Sequence, residues 1–168
     1  FDNPPGTKVI SGSQDSIGIV YNGLAKADYE GEYWPRHITH LTDETLLQFL
    51  ERSLYLVSLG PRHAEYDVLA DTRIDQAGAE PLANAAEECW QAILKQDIDK
   101  FGAAFRASFE AQIAMFPKMM NDTVAGIIEE NQHNALGWKL SGAGGGGYLI
   151  FVAREPLQNA LTITARRE

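Results

Sequence analysis

The 168 residues carry 23 acidic against 14 basic side chains, a formal charge of −9, with 45% apolar residues and a single cysteine. A chain of this size buries about 70% of its unfolded surface in one core, and its acidic balance, with no basic stripe beyond Arg166-Arg167, excludes recognition of a nucleic-acid backbone. No run approaches the roughly 18 apolar residues of a membrane helix, and the N-terminus lacks the charged-then-apolar order of a signal peptide. No membrane partner is therefore expected. With Cys89 unable to form an internal disulfide, the expected compartment is the cytoplasm.

Phe1-Asp2-Asn3-Pro4-Pro5-Gly6 reads as a loop entered from upstream chain, which suggests a fragment. Thr7-Lys8-Val9-Ile10 is a short β-like run, ended by the polar turn Ser11 to Ser16, and Ile17, Ile19 and Val20 then supply an apolar face. Two exposed strands are expected between Gly23 and Leu41, broken at Glu30-Gly31. Thr42-Asp43-Glu44 caps a helix in which Leu46, Leu47, Phe49 and Leu50 have helical spacing, and Leu54 to Leu59 follows as a central buried strand stopped by Gly60-Pro61.

Between Arg62 and Gln76 no period is clean, so a long loop is expected, of the kind that carries function more often than packing. It contains Arg62, His63, Asp67, Asp71, Arg73 and Asp75. A helix follows with Pro81 near its first turn and Leu82, Ala85, Ala86, Cys89 and Ile93 on one face. A longer helix from Asp97 places Phe101, Phe105, Phe109, Ile113 and Phe116 at repeats of four or three. This aromatic ladder reads as core packing. Asn121 caps a third helix with Val124, Ile127 and Ile128, and Gly137 leads into a strand, Trp138-Lys139-Leu140. Beyond the next strand, Tyr148 to Val152, Pro156 to Ala160 reads as a helical turn and Leu161 to Ala165 as a last strand. The order implies an α+β fold, a ferredoxin-like split β-α-β sandwich with helices on one face of an antiparallel sheet.

The most unusual stretch joins those two strands. Five of the nine residues from Lys139 to Gly147 are glycine, a composition suited to close approach of the backbone to an anion or to another backbone. It is not a Walker loop, because Gly147 runs into Tyr148-Leu149 rather than Lys and Ser or Thr. Nor is it a dinucleotide fingerprint, because a strand follows instead of a helix. A glycine-rich hairpin turn remains, and a turn with no ligand is its plainest reading.

Elsewhere His37, His40, His63 and His133 are scattered without the spacing of a helical metal site, and Ser13 and Ser16 lack the elbow of a serine hydrolase. Asp15 lies in a glycine- and serine-rich turn before an apolar segment. Helix-end amides there suit an anion beside a carboxylate, although capping is the commoner role. Arg62 follows the central strand at a Gly-Pro break, where a guanidinium suits a phosphate or a sugar carboxylate, against the default of a solvated loop arginine.

Gly12-Ser13-Gln14-Asp15 and Lys139-Leu140-Ser141-Gly142-Ala143-Gly144-Gly145-Gly146-Gly147-Tyr148, in that order, resemble the second and third signatures of the GHMP small-molecule kinases. The likeness is nearest to the sugar-kinase branch, with its heptose-phosphate kinases, fucokinases and galactokinases, and Leu54 to Arg62 resembles a further stretch of that family more loosely. The resemblance implies an ATP- and Mg²⁺-dependent kinase acting on a sugar or sugar phosphate. Asp15 would be the carboxylate that takes or orients the hydroxyl proton, and Gly12, Ser13, Gln14 and Arg62 would bind substrate. Ser141, Gly142, Ala143, Gly144, Gly145 and Gly146 would form the phosphate or nucleotide loop, with no metal ligand supplied by the protein.

The family's first glycine-rich signature has no counterpart here. The resemblance therefore implies a C-terminal portion, inactive alone, that lacks its N-terminal ATP-binding part. Residues 1–41 would be the tail of the substrate and ATP-binding domain, residues 42–168 the C-terminal domain, and self-association through the uncovered apolar surface is expected. The competing expectation is a non-catalytic ligand-binding or regulatory α+β domain, in which Asp15 caps a helix and the glycine turn docks against another chain.

Overall fold

The computed structural model describes residues 12–62, 66–67 and 71–168. The expected opening loop, the β-like run Thr7 to Ile10 and His63 lie outside the described residues. The chain divides into two compact units: one reaches to Leu47 and takes back Ala165–Glu168, and the other is Gln48–Thr164.

In the first unit, helix α1 (Gln14–Val20) is followed by an antiparallel hairpin of β1 (Leu24–Asp28) and β2 (His37–Leu41), paired from Leu24↔Leu41 to Asp28↔His37. The two exposed strands of the sequence reading are these. The C-terminus is stitched to this unit by polar contacts. Gly23 N–H donates to the Arg166 carbonyl (2.7 Å), Arg166 Nη2 to the Ile19 carbonyl (2.7 Å), and the Arg167 guanidinium engages both carboxylate oxygens of Glu44 at 2.9 and 3.1 Å. Ile19, Val20 and Trp34 remain exposed, at 70%, 74% and 57%.

Helix α2 (Glu44–Ser53) crosses from the first unit to the second and starts as its sequence dictates, with Asp43 Oδ1 accepting from Leu46 N–H at 3.0 Å. The second unit continues with β3 (Leu54–Gly60), α3 (Gln76–Leu94), α4 (Ile98–Met115), a 3₁₀ turn (Pro117–Met119), α5 (Asp122–Asn131), β4 (Gly137–Leu140), β5 (Gly147–Val152) and β6 (Leu161–Thr162). The strands form one antiparallel sheet in the order β4-β5-β3-β6. Counted within this unit that is the 4-1-3-2 order of the split β-α-β sandwich, so the expected α+β fold is present.

The strand period of two explains where the core lies. Tyr55 and Val57 on β3, Leu149 and Phe151 on β5, and Trp138 and Leu140 on β4 come into register across the sheet, and α4 and α5 cover them with Phe109, Ile113, Val124, Ile127 and Ile128. Phe101 and Phe109 are almost wholly buried, as the aromatic ladder requires. Asp97 and Asn121 cap α4 and α5 through side-chain oxygens on Lys100 N–H (3.1 Å) and Val124 N–H (3.0 Å).

Three elements depart from the sequence reading. Helix α3 begins at Gln76, so Pro81 sits in its second turn; Asp75 Oδ1 accepts from Gly78 N–H at 2.7 Å and caps a start that small residues had hidden. Pro156 to Ala160 is a turn, with Asn159 in the left-handed region at φ 59°, rather than a helical one. The last strand is only Leu161–Thr162, which pairs Tyr55↔Thr162 and Leu56↔Leu161.

Candidate functional site

Strands β3 and β5 run side by side until the ladder shifts register between Ser58 and Gly60, where Gly60 faces Gly147. Both glycines lie at positive φ, 77° and 82°, so the two chains leave the sheet together at one end. From β3 comes Pro61-Arg62, and into β5 comes the glycine loop. Ser141 N–H closes the β4–β5 hairpin on the Tyr148 carbonyl at 3.0 Å. Between them, Gly142, Gly144 and Gly145 take φ of 70°, 71° and 73°, a backbone that side chains rarely adopt.

Three side chains hold this loop by successive carbonyls. Gln112 Nε2 reaches the Gly142 carbonyl at 3.5 Å, a long contact, Tyr66 Oη donates to the Ala143 carbonyl at 3.1 Å, and Arg62 Nε donates to the Gly144 carbonyl at 3.0 Å. The Arg62 guanidinium also lies 5.9 Å from the centre of the Tyr66 ring. In a trans peptide the N–H points opposite to the C=O of the same plane. Fixing the carbonyls of residues 142, 143 and 144 on these donors therefore turns the N–H groups of Ala143, Gly144 and Gly145 the other way. Among the described residues none of those three N–H groups donates to a protein acceptor. Successive outward amides are the arrangement that binds an anion.

The glycines also make room. A Cβ on Gly145 would stand 2.5 Å from Tyr66 Cε1, and one on Gly146 would stand 2.6 Å from Arg62 Cα. Gly145 and Gly146 thus serve the close approach of Tyr66 and Arg62. A recess of about 50 Å³ opens beside the loop, lined by Leu59, Pro61, Asn121, Thr123, Val124, Gly145 and Gly146. Larger hollows lie elsewhere, about 400 Å³ along α3 and α4 at Glu87 and Ala104 and about 450 Å³ between His133 and Pro156. Neither is lined by a run of peptides whose carbonyls are all held from one side, as those of 142–144 are. A phosphate group needs aligned donors more than depth, so the loop is the stronger candidate.

Behind the loop, Lys139 Nζ donates to Ser108 Oγ (2.8 Å) and to Gln112 Oε1 (3.1 Å) and has no carboxylate partner among the described residues. Burial holds its pKa below the usual lysine range, a fall only partly opposed by nearby Cys89. Burial likewise pushes the Cys89 thiol up to about 11, which makes it a poor nucleophile at neutral pH. Burial raises the Tyr66 hydroxyl against the opposing pull of Arg62, so Tyr66 remains a donor at neutral pH.

The other expected residues lie in the first unit. Ser13 is 1% exposed, and its Oγ sits 2.8 Å from the Tyr29 hydroxyl and donates to the Tyr33 carbonyl at 2.8 Å. It anchors its own loop. Gly12, Gln14 and Asp15 are exposed. Asp15 occupies the first turn of α1 rather than its cap, which is Ser13, and among the described residues it makes no hydrogen bond or ion pair. Tyr66, Gln112 and Lys139 received no role from sequence reasoning. Tyr66 had one signal, its place in an aperiodic loop after the central strand.

The four-stranded antiparallel sheet, its covering helices and the glycine hairpin define an α+β domain whose loop turns successive amides to one side. Residues 90–164 match the family model described as GHMP kinases C terminal. The chain is similar to the bifunctional fucokinase/GDP-fucose pyrophosphorylase of Arabidopsis thaliana, 26% identical over an alignment of 154 residues that covers 86% of this chain and 15% of that protein. The fold is that of a crystal structure of mevalonate kinase, with a TM-score of 0.62 and 16% identity over 95% of this chain and 52% of that one. A D-glycero-D-manno-heptose 1-phosphate kinase from Bacteriodes thetaiotaomicron aligns with a TM-score of 0.46, 15% identity and coverage of 77% and 38%. The chain thus spans 15% of the curated relative and about half of the mevalonate kinase chain.

Proposed function

We propose that this chain is the C-terminal part of an ATP-dependent kinase that phosphorylates a sugar or a sugar phosphate. The observation that carries the reading is the set of three inward-held carbonyls, Gly142 to Gly144, whose peptide planes turn the Ala143, Gly144 and Gly145 N–H groups outward. Phosphoryl transfer asks mainly for positioning and for neutralisation of charge on the phosphate oxygens, and fixed amides supply both without reorganising. The exposed Asp15 carboxylate, with Gly12 and Gln14 beside it and Ser13 holding the turn, is the base of this reading. As the sugar oxygen bonds to the γ-phosphorus and the bond to the ADP oxygen breaks, the hydroxyl proton passes to Asp15.

Among the described residues no group of three or more His, Cys, Asp or Glu is placed to hold a metal. Mg²⁺, when bound, neutralises the nucleotide phosphates, which together with one carboxylate and water are its usual ligands. The exposed Ile19, Val20 and Trp34 support self-association as part of the same proposal.

The test is sugar-dependent ADP release by the intact protein over a panel of hexoses, deoxyhexoses and their phosphates. Turnover with one of them is expected, and Asp15→Asn should lower kcat by a factor of about 10² to 10⁴ while leaving nucleotide binding unchanged. Absence of turnover with every member, or full activity in Asp15→Asn, overturns the corresponding part of the proposal.

A further inference from the structure

Tyr66 is placed where it can do more than pack. Its ring fills the space that a Gly145 side chain would need, and its hydroxyl takes the middle of the three loop carbonyls, Ala143. The donors on either side act on the neighbouring peptide planes, Arg62 on Gly144 and Gln112 on Gly142. Gln112 is oriented in turn. The amide could be flipped end for end, but Lys139 Nζ, which as an ammonium can donate and not accept, sits 3.1 Å from Oε1 and leaves Nε2 for the Gly142 carbonyl.

We infer that Tyr66 is a positioning residue of the phosphate site: with Arg62 and the Lys139-oriented Gln112 it fixes carbonyls 142 to 144, and so sets the direction of the amides that face the phosphate. The inference rests on the kinase reading for the identity of the anion, and on this geometry alone for the residues. If Tyr66 were only a packing residue, the ring would matter and the hydroxyl would not. If it positions the loop, loss of the hydroxyl frees the 143–144 peptide plane to rotate. Two glycines flank Ala143 and offer little resistance.

The experiment is calorimetric titration of the intact protein with inorganic phosphate and with ADP, alongside thermal unfolding. Tyr66→Phe keeps the ring and removes the donor. It should weaken phosphate binding by about 5-fold, the worth of one hydrogen bond, with little change in Tm. Gln112→Glu keeps an acceptor for Lys139 but sets a carboxylate against the Gly142 carbonyl, and should weaken phosphate binding without loss of stability.

Phosphate affinity in Tyr66→Phe equal to wild type overturns the inference, as does a wild type that binds neither phosphate nor ADP. A wild type that binds phosphate in a Tyr66-dependent way but phosphorylates no sugar leaves the inference standing and removes the kinase reading. The two failures are therefore distinguishable.

Discussion

Gly142 and Gly145 share a left-handed backbone, φ 70° and 73°, but not a neighbourhood. Among the described residues, chain neighbours aside, no atom lies within 4 Å of where a Gly142 Cβ would stand, whereas a Gly145 Cβ meets three atoms of the Tyr66 ring. Gly142→Ala should cost only the conformational penalty, about 1 to 2 kcal/mol, and should leave phosphate binding close to wild type. Gly145→Ala adds an overlap that relaxes only if Tyr66 moves, and with it the hydrogen bond to Ala143. Phosphate affinity should fall more in Gly145→Ala than in Tyr66→Phe. Thermal unfolding and phosphate titration of the two alanine variants side by side check this; equal behaviour would mean that the loop is not built around Tyr66.

At the scale of elements, the start of β4 lies directly against the backbone of α4. A Cβ on Gly137 would fall 2.7 Å from the Gly102 carbonyl carbon, and one on Gly102 would fall 2.8 Å from the Leu136 carbonyl carbon. Helix and strand touch backbone to backbone, and no flexible side chain is present to yield. Gly137→Ala should therefore destabilise by about 3 kcal/mol, the upper end of ordinary overpacking, which is roughly 10 °C in Tm for a chain of this size. A calorimetric scan measures it, and a shift under about 2 °C would show that α4 can move off the sheet.

The same contact marks where the sequence stops being readable. The Phe101, Phe105 and Phe109 period and the Asp97 and Asn121 caps are local patterns, and the helices they announce are present. Gly102 inside a helix and Gly137 before a strand are each unremarkable alone, because their meaning is a contact between residues 35 positions apart. The glycine loop divides in the same way. Its likeness to a phosphate loop was visible in composition and order, but the reason for Gly145 and Gly146 lies in Tyr66 and Arg62, which belong to an aperiodic segment. Asp15 was legible as a carboxylate in a turn; that Ser13 is the cap and Asp15 lies in the first helical turn required the coordinates.

At the scale of the whole molecule, the two units differ in what holds them. The first depends on a two-stranded hairpin and on its polar contacts to Arg166 and Arg167, and a lone hairpin is marginal in water. The second contains the entire core cluster from Tyr55 to Leu157, with a four-stranded sheet covered by α4 and α5. If that core suffices, residues 43–164, which keep α2 with its Asp43 cap, should fold alone and unfold in one cooperative transition. The Trp138 indole, stacked 4.2 Å from the Arg106 guanidinium and buried against Phe151, is the native probe. Its near-ultraviolet circular dichroism should survive in residues 43–164 and disappear in the same transition as the helical signal. Helical signal without tertiary signal would show instead that the second unit needs the first to pack. Phosphate binding then becomes informative in the isolated unit, because Arg62, Tyr66, Gln112, Lys139 and the whole glycine loop lie inside it and Asp15 does not. Retention of phosphate affinity there is the outcome expected if the glycine loop and its three donors bind the anion by themselves.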